Sequence, residues 1–403
     1  MKDVAVPIKE YAIGIYDGPH ATPKPSEAGP IFLGIKNVTD DGRLDFSEIR
    51  HVSEAEFPKW TRRVKPQKDD IVFSYEATLH RYARIPHDFE GCLGRRMALV
   101  RPDPQKVDAR FLHYYFLSPI WRAKMDAITL TGATVNRIPL TTFPDTKVQF
   151  PGLNEQEAIA DILSAYDELI ETNRRRIELL EEAARLLYRE WFVHFRFPGH
   201  EHVKITDGVP EGWERFPASE AFEVNPKTPR NDEGIIRYVP MAALSETGMV
   251  IGRGPVEERE KSTSVRFRNG DTLLARITPC LENGKTGYVQ MLEDGEVACG
   301  STEFIVLRGR HVSNYFVYLT ARQHDFRENA IRSMIGSSGR QRVQPSCFDR
   351  YTVPIPPQVL STPFDEAVGD MFAQIGNLDQ QNQKLAQARD LLLPRLMNGE
   401  IAV

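Results

Sequence analysis

Between Asn154 and about Phe195, apolar residues recur at Ile159, Ile162, Tyr166, Leu169, Ile177, Leu180, Ala184, Leu187 and Trp191. Steps of three and four put these side chains on one stripe of a helix, and so predict a long amphipathic α-helix. Asn173 stands on the same stripe, where two consecutive steps of four make a stutter in a coiled-coil period. Asn154 suits an N-cap, and Glu155 and Glu157 fall in the first turn, where the helix dipole favours negative charge. Pro198-Gly199 ends the run. About 40 residues at ~1.5 Å each make a rod of roughly 60 Å. A second stripe, Phe364, Val368, Met371, Ile375, Leu378, Asn382, Leu385, Ala388 and Leu392, predicts another such helix from about Pro363 to Leu396. Two seams in one chain are most simply buried against each other, with Asn173 and Asn382 as polar seam residues that fix register at some cost in stability. The pattern also admits a helix turned by about one residue, which leaves these asparagines facing solvent or a partner chain.

Residues 1–150 and 200–355 have a different texture. Short apolar runs between Gly- and Pro-rich segments, Ile71-Val72-Phe73-Ser74, Met97-Ala98-Leu99-Val100, Thr272-Leu273-Leu274-Ala275 and Phe304-Ile305-Val306-Leu307, read as strands. Each half also holds a shorter helical patch, Asp108 to Lys124 and Ser313 to Glu328. The prediction is an α+β fold with two domains, at 1–152 and 198–357, each followed by a long helical connector, at 153–197 and 358–403.

The two halves repeat each other. Phe143-Pro144-Asp145-Thr146-Lys147-Val148 and Phe348-Asp349-Arg350-Tyr351-Thr352-Val353 lie 205 positions apart, and at that offset Asn136-Arg137-Ile138 falls on Gln341-Arg342-Val343. With a small drift, Asp70-Ile71-Val72-Phe73 falls on Asp271-Thr272-Leu273-Leu274, and Arg84 falls where Lys285 lies. A period this long is far above the 20 to 50 residues of solenoids and signals two copies of a whole domain with its connector. The framework matches and the residues between mostly do not, as expected of two scaffolds reading different ligands, or of drift after duplication.

Composition narrows the class. A chain of 403 residues with 41% hydrophobic content is ordinary for cored, globular domains. No window approaches the ~18 apolar residues of a membrane span, and Met1 to Gly18 has no apolar h-region, so a cytoplasmic location without membrane contact is expected. Cys92, Cys280, Cys299 and Cys347 form no C-x-x-C pair and are expected to be reduced. The net charge of −5 hides a distribution: acidity is concentrated in the connectors, and residues 1–150 carry 22 Lys+Arg against 19 Asp+Glu. DNA binding needs a basic face, not a basic average, so the charge balance neither supports nor excludes it.

Signatures of autonomous chemistry are missing. Asn283-Gly284-Lys285-Thr286 resembles the end of a phosphate-binding loop, but Pro279 stands where its first glycine is required. There is no H-E-x-x-H, no G-x-S-x-G elbow and no G-x-G-x-x-G after a strand, and no metal ligation is expected. Two polar clusters carry more. Thr131-Gly132-Ala133-Thr134-Val135-Asn136-Arg137 and Gly336-Ser337-Ser338-Gly339-Arg340-Gln341-Arg342 combine small residues with side chains that suit base edges. Arg can bridge guanine O6 and N7, Asn or Gln can bridge adenine N6 and N7, and small residues let backbone approach phosphate. Thr134, Asn136, Arg137, Ser338, Arg340, Gln341 and Arg342 are therefore candidate DNA contacts, with His20, Lys24, Lys36, Arg84, Arg276 and Lys285 as further ones. A surface loop leading into a strand would look the same.

These features, with Leu153-Asn154-Glu155-Gln156-Glu157-Ala158-Ile159-Ala160, Arg185-Leu186-Leu187-Tyr188-Arg189-Glu190-Trp191-Phe192 and Ala388-Arg389-Asp390-Leu391-Leu392-Leu393-Pro394-Arg395-Leu396-Met397-Asn398-Gly399-Glu400-Ile401, make the chain resemble the specificity subunit of Type I restriction-modification systems over essentially its whole length. The resemblance implies two target-recognition domains in pseudo-twofold arrangement, separated by antiparallel coiled-coil helices. Each domain would read one half of a split double-stranded DNA target. The helix pair, with Tyr166, Asn173, Ile177, Leu180 and Leu187 facing Met371, Ile375, Leu378, Asn382, Leu385 and Leu392, would set the spacer and dock two modification subunits. No catalytic residue and no cofactor is expected on this chain. S-adenosylmethionine would belong to the modification subunits, and ATP and Mg to the restriction/translocase subunits. A rod of roughly 55 to 60 Å spans about one and a half to two turns of B-DNA, so the geometry is feasible. Pro356-Pro357-Gln358-Val359-Leu360-Ser361-Thr362-Pro363 lacks the Glu-Gln opening of the first helix and leaves the start of the second undefined.

Overall fold

The apolar runs that read as strands are buried on both faces, and the layering of each half explains why. A computed structural model describes residues 5–132, 135–230, 234–261, 264–337 and 339–403. The chain divides into two units, Met1–Ile170 with Lys384–Val403, and Glu171–Gln383.

The first unit contains β1 (Val6–Pro7), β2 (Ala12–Asp17), β3 (Ser26–Leu33), β4 (Ile71–Ser74), β5 (Tyr82–Arg84), β6 (Gly91–Leu93), β7 (Met97–Pro102) and β8 (Lys147–Val148), with helices α1 (Phe57–Trp60), α2 (Ala109–Leu117) and α3 (Pro119–Ile128). Four strands form an antiparallel sheet in the order β2-β7-β4-β5, while β3 pairs parallel with β6 and β1 antiparallel with β8. Ile71 and Phe73 point into a core shared with α2 and α3, and Val72 points into the opposite one with Leu33 and Leu93. A sheet covered on both sides needs apolar residues at every position, not at alternate ones. The single helical patch expected at Asp108 to Lys124 is two helices. Asp108 caps α2 by accepting from the Arg110 and Phe111 amides, and Ser118, in an extended conformation, caps α3. Pro119 has no N–H and suits only the first position of a new helix.

The long helix α4 (Leu153–Tyr188) begins in the first unit and continues into the second. The second unit contains β9 (Ile205–Thr206), β10 (Val209–Pro210), β11 (Glu214–Pro217), β12 (Phe222–Val224), β13 (Ile236–Val239), β14 (Glu257–Arg259), β15 (Val265–Phe267), β16 (Thr272–Ala275), β17 (Thr286–Tyr288), β18 (Ala298–Gly300), β19 (Phe304–Gly309) and β20 (Thr352–Ile355). Its helices are α5 (Ala218–Ala221), α6 (Asn314–Ala321) and α7 (His324–Arg332), so the patch at Ser313 to Glu328 is likewise two helices. The sheet β12-β19-β16-β17 repeats the order β2-β7-β4-β5, the parallel pair β13/β18 repeats β3/β6, and β11/β20 repeats β1/β8. The duplication seen in the sequence is thus a duplication of topology. Its best-matched run is the turn and strand that close each unit: Phe143 and Phe348 are fully buried in 3-10 turns leading to β8 and β20. Both copies also bury one ion pair, Asp70 with Arg101 and Asp271 with Arg308.

The second long helix, α8 (Gln358–Met397), starts five residues before the Pro363 expected from the stripe. α4 starts at Leu153, with the Gly152 carbonyl accepting from the Glu155 and Gln156 amides, so Asn154 lies inside the first turn and is not the N-cap. The apolar stripe of α4 is also rotated from its expected place. Ile162 and Leu169 are 38% and 47% exposed, while Leu163 and Ile170 are buried. The inward face meets domain residues as well as α8, so polar Gln156 and Glu181 lie buried on it. At the far end of α4 a π-helical turn (Arg189–Val193) inserts an extra residue, and Phe192 becomes fully buried where Trp191 was expected.

Candidate nucleic-acid interface

The two polar clusters form the same hairpin in the two units. In the first, Leu130 and Arg137 exchange backbone hydrogen bonds, and Ile138 N donates to Tyr75 O (2.8 Å), Ala77 N to Asn136 O (3.0 Å) and Tyr75 N to Arg96 O (3.3 Å). In the second, Ile335 and Arg342 exchange the equivalent bonds, and Val343 N donates to Arg276 O (2.8 Å), Thr278 N to Gln341 O (3.1 Å) and Arg276 N to Glu303 O (2.9 Å). Tyr75 thus matches Arg276, Arg96 matches Glu303, and Arg137 matches Arg342. Each hairpin hangs at the end of the strand that leaves the sheet centre, β4 or β16, where backbone pairing fixes it and side chains are free to differ.

They do differ. In the first unit Asn136 and Arg137 are exposed, and Arg137 has no side-chain ion pair among the described residues. Near them Asp17 holds His20 (2.9 Å) and Arg63 (2.5 Å), and the Tyr75 hydroxyl donates to Arg95 O (3.2 Å). Burial, with Asp17 and Glu76 nearby, pushes the Tyr75 phenol up to about 12, so it stays protonated and can donate. In the second unit Arg342 is gripped by Glu303, whose carboxylate accepts from Nε (2.9 and 3.0 Å) and from a terminal nitrogen (2.7 Å). Arg276 turns inward and donates to Val343 O (3.0 Å), and Gln341 is half-buried, whereas Arg340 is exposed. Thr134 and Ser338 lie outside the described residues.

The remaining candidates scatter. Lys24 is exposed, and Lys36 is exposed beside Glu48 (3.3 Å) at the rim of a cavity of about 590 Å³ that Arg50, Arg95 and Arg96 also line. Arg84 and Lys285 do not occupy matching places. Strand register sets Tyr82 opposite Phe73 as it sets Thr286 opposite Leu274, so the partner of Lys285 is Arg81. Arg81 and Lys285 each reach a carbonyl, Val38 O (2.7 Å) and Met241 O (3.5 Å). Arg84 pairs with Ile71 and binds Asp69 (3.2 Å), at the opposite end of the sheet from the hairpin. Sequence reasoning missed Arg63, Tyr75, Arg95, Arg96 and Glu303, which come from other loops; all but Arg63 lie next to a strand end, and that was their one signal. Among the described residues no group of side chains could hold a metal, and no helix is long and apolar enough to cross a membrane.

The long helices are fixed within each unit by polar contacts that explain the helical signatures. In the first unit Gln156 is buried, accepting from Asp108 N (3.0 Å) and donating to Pro151 O (2.9 Å). Asp167 of α4 takes the Tyr114 hydroxyl (2.5 Å) and Arg389 of α8, and burial together with Asp167 holds the Tyr114 phenol far above its usual range. In the second unit Glu181 is buried and accepts from Tyr318 Oη (2.6 Å), Met249 N (2.8 Å) and Arg185. Asn173 is buried and donates to Asn382 (3.0 Å), while Phe192 stacks edge-on against Phe364, so α4 and α8 run antiparallel there. Asp167 with Arg389, and Ile159 and Leu163 with Leu393 and Leu396 in one core, give the same direction in the first unit. Ile375 and Leu378 are buried. Tyr166, Ile177, Leu180, Leu187, Met371, Asn382, Leu385 and Leu392 are half-buried, beside fully buried Phe372 and Leu393.

A duplicated α+β domain, each copy followed in the chain by a long helix, defines the class: two-domain α+β proteins with long helical connectors. The family model described as Type I restriction modification DNA specificity domain matches residues 36–182. The provisionally named MjaX type I restriction enzyme specificity subunit of Methanocaldococcus jannaschii is 34% identical over 390 residues, covering 90% of this chain and 85% of that protein. The MjaIX specificity subunit of the same organism is 24% identical, over 74% of this chain and 70% of that protein. The EcoEI specificity subunit of Escherichia coli is 30% identical over 47% of this chain, which spans only 32% of that protein. A crystal structure of the Type-I restriction-modification system S subunit from M. genitalium has the same fold, with a TM-score of 0.51 at 16% identity, covering 98% of this chain and 95% of that one. The chain belongs to the family of Type I restriction-modification specificity subunits.

Proposed function

We propose that this chain is the sequence-specific DNA-binding, non-catalytic subunit of a Type I restriction-modification complex. Domains at 1–152 and 198–357 each read one half of a split double-stranded target. The helices at 153–197 and 358–403 set the spacer and dock two modification subunits. The partners carry the chemistry: S-adenosylmethionine for adenine methylation, and ATP with Mg for the restriction/translocase subunits. The assembly works where the DNA is, in the cytoplasm. The observation that carries this reading is the pair of hairpins with identical backbone bonding and different side-chain settings: Asn136 and Arg137 stand exposed in one copy, while in the other Gln341 is half-buried and Arg342 is held by Glu303. A fixed frame with variable donors at its tip is what two half-site readers need. The reading surface then includes His20, Asn136, Arg137, Arg340, Gln341 and Arg342, with Lys24 and Lys36 as phosphate contacts and Arg84 set apart from it.

The test is methylome sequencing of cells expressing the chain with its modification subunits, beside mobility shifts of the purified complex. A bipartite adenine motif, and loss of the shift when either half is changed, is expected. Absence of any sequence dependence would instead make the chain a protein-binding scaffold.

A further inference from the structure

We propose, resting on the DNA-reading function above, that Glu303 is a positioning residue that holds Arg342 for one guanine in the half-site of the second domain. Arg342 closes the hairpin opposite Ile335 with its side chain 45% exposed, and Glu303, 23% exposed, comes from the residue just before β19. The carboxylate takes the Nε–H and one terminal N–H, at 2.7 to 3.0 Å. A guanidinium has two edges that can give paired hydrogen bonds. With the side edge occupied, the end edge still offers two parallel N–H groups at the spacing of guanine O6 and N7.

Three observations favour a base over a phosphate. The carboxylate would repel a phosphate brought to the same guanidinium, whereas O6 and N7 are neutral acceptors. An exposed ion pair contributes little to folding, so stability is a weak reason for this geometry, while a restrained arginine loses less rotamer entropy on binding. Glu303 itself is fixed, with its amide on Ser301 Oγ (3.2 Å) and its carbonyl on Arg276 N (2.9 Å). The matched place in the first unit holds Arg96, so Arg137 there has no such clamp, and this guanine contact belongs to one half-site only.

The experiment uses the complex with modification subunits and a DNA library randomised at every base of both half-sites, comparing wild type with R342A, R342K, E303A, E303Q and E303A/R342A. Wild type should prefer guanine at one position by roughly 5- to 150-fold, the range of one bidentate contact. R342A should abolish that preference, and E303A should reduce it at the same position without weakening binding to all DNA. E303Q should fall between wild type and E303A, R342K should not rescue, and the double variant should match R342A. The half-site of the first domain should be unchanged throughout, and unchanged preference at the other bases of the second half-site reports that the variant domain is folded. The inference is overturned if E303A only raises affinity for every sequence, or if it changes preference at a different base from R342A, as it would were Glu303 itself accepting from cytosine N4. A wild-type complex with no base preference in either half would overturn the DNA-reading function and this inference with it.

Discussion

Replacing Asp271 by alanine should unfold the second unit far more readily than the equivalent change at Asp70 unfolds the first. Asp271 is fully buried; its oxygens accept from Arg308 Nε and a terminal nitrogen, both at 2.7 Å, and from Arg268 N at 2.9 Å. The alanine leaves the Arg308 side chain, 10% exposed, with Thr228 Oγ1 (3.0 Å) as its remaining partner. Removing one member of a buried pair costs about 3 to 5 kcal/mol, and the lost turn acceptor adds roughly 1 kcal/mol. In the first unit Arg101 is 20% exposed and also donates to Lys65 O (3.0 Å), so it can turn toward water, and Asp70→Ala should cost about 1 to 3 kcal/mol. Against domain stabilities of about 5 to 15 kcal/mol, the first loss takes the larger share whatever the total. Hydrogen exchange on the intact chain separates the two. In D271A the amides of β16 and β19 should exchange roughly three to four and a half orders of magnitude faster, while those of β4 and β7 keep their rates. The double variant Asp271→Leu with Arg308→Met should recover most of the protection, because apolar residues of similar volume remove the unpaired charge. Equal losses in D271A and D70A, or no recovery in the double variant, would refute the reasoning.

His113 gives a pH dependence. Burial and the charge of Arg84 lower its pKa from 6.5 to about 4 in the folded state. The unfolded chain therefore binds the extra proton first, so stability is complete above about pH 6.5 and falls by up to about 3 kcal/mol as pH drops to about 4. Urea midpoints of the first unit against pH should show this slope, and His113→Leu should flatten it. In the helix pair, Asn173→Leu should cost about 1 to 2 kcal/mol by leaving the Asn382 amide facing an apolar side chain. The double change to leucine should restore the thermal midpoint but let cysteines placed along the seam cross-link in more than one register. Gln156→Ala should cost about 1 to 3 kcal/mol by leaving the buried Asp108 amide unpaired, seen as faster exchange at the start of α2.

Which parts of this structure are legible in the sequence follows from the range over which each feature is encoded. Ile71–Ser74 and Thr272–Ala275 are read to the residue, because a strand covered on both sides needs an unbroken apolar run. The long helices are read from a stripe many turns long, and a start wrong by five residues does not disturb it. The face of α4 is read less well. Its stripe assumes one neighbour, whereas Gln156, Asp167 and Glu181 turn the inward side toward domain groups and leave Ile162 and Leu169 outside. The hairpin loops are found by their position in the repeat, but Glu303, which holds Arg342, lies 39 residues away in sequence, beyond any local pattern. A search for donors also passes over an acid whose work is to orient one.

The offset of 201 that aligns β4 with β16 fails for Arg84 and Lys285 for a reason that bears on how such a duplication diverges. Between β4 and β5 the first copy has a turn of seven residues, 75–81, and between β16 and β17 the second has ten, 276–285. Equal numbering therefore compares opposite ends of the strand, and only the ladder, Tyr82 with Phe73 and Thr286 with Leu274, restores the match. Once it is restored, the elements anchored by backbone bonds coincide: Tyr75 with Arg276, Arg96 with Glu303, Ile138 with Val343. Of these only Ile138 and Val343 are chemically alike, and both are fully buried. Backbone hydrogen bonds constrain no side chain, and burial constrains only size and polarity. Arg96 and Glu303, held by the first and only half-buried, exchange a cation for an anion without cost to the frame, whereas Tyr75 is buried and the Arg276 that matches it is kept in place by donating to Val343 O.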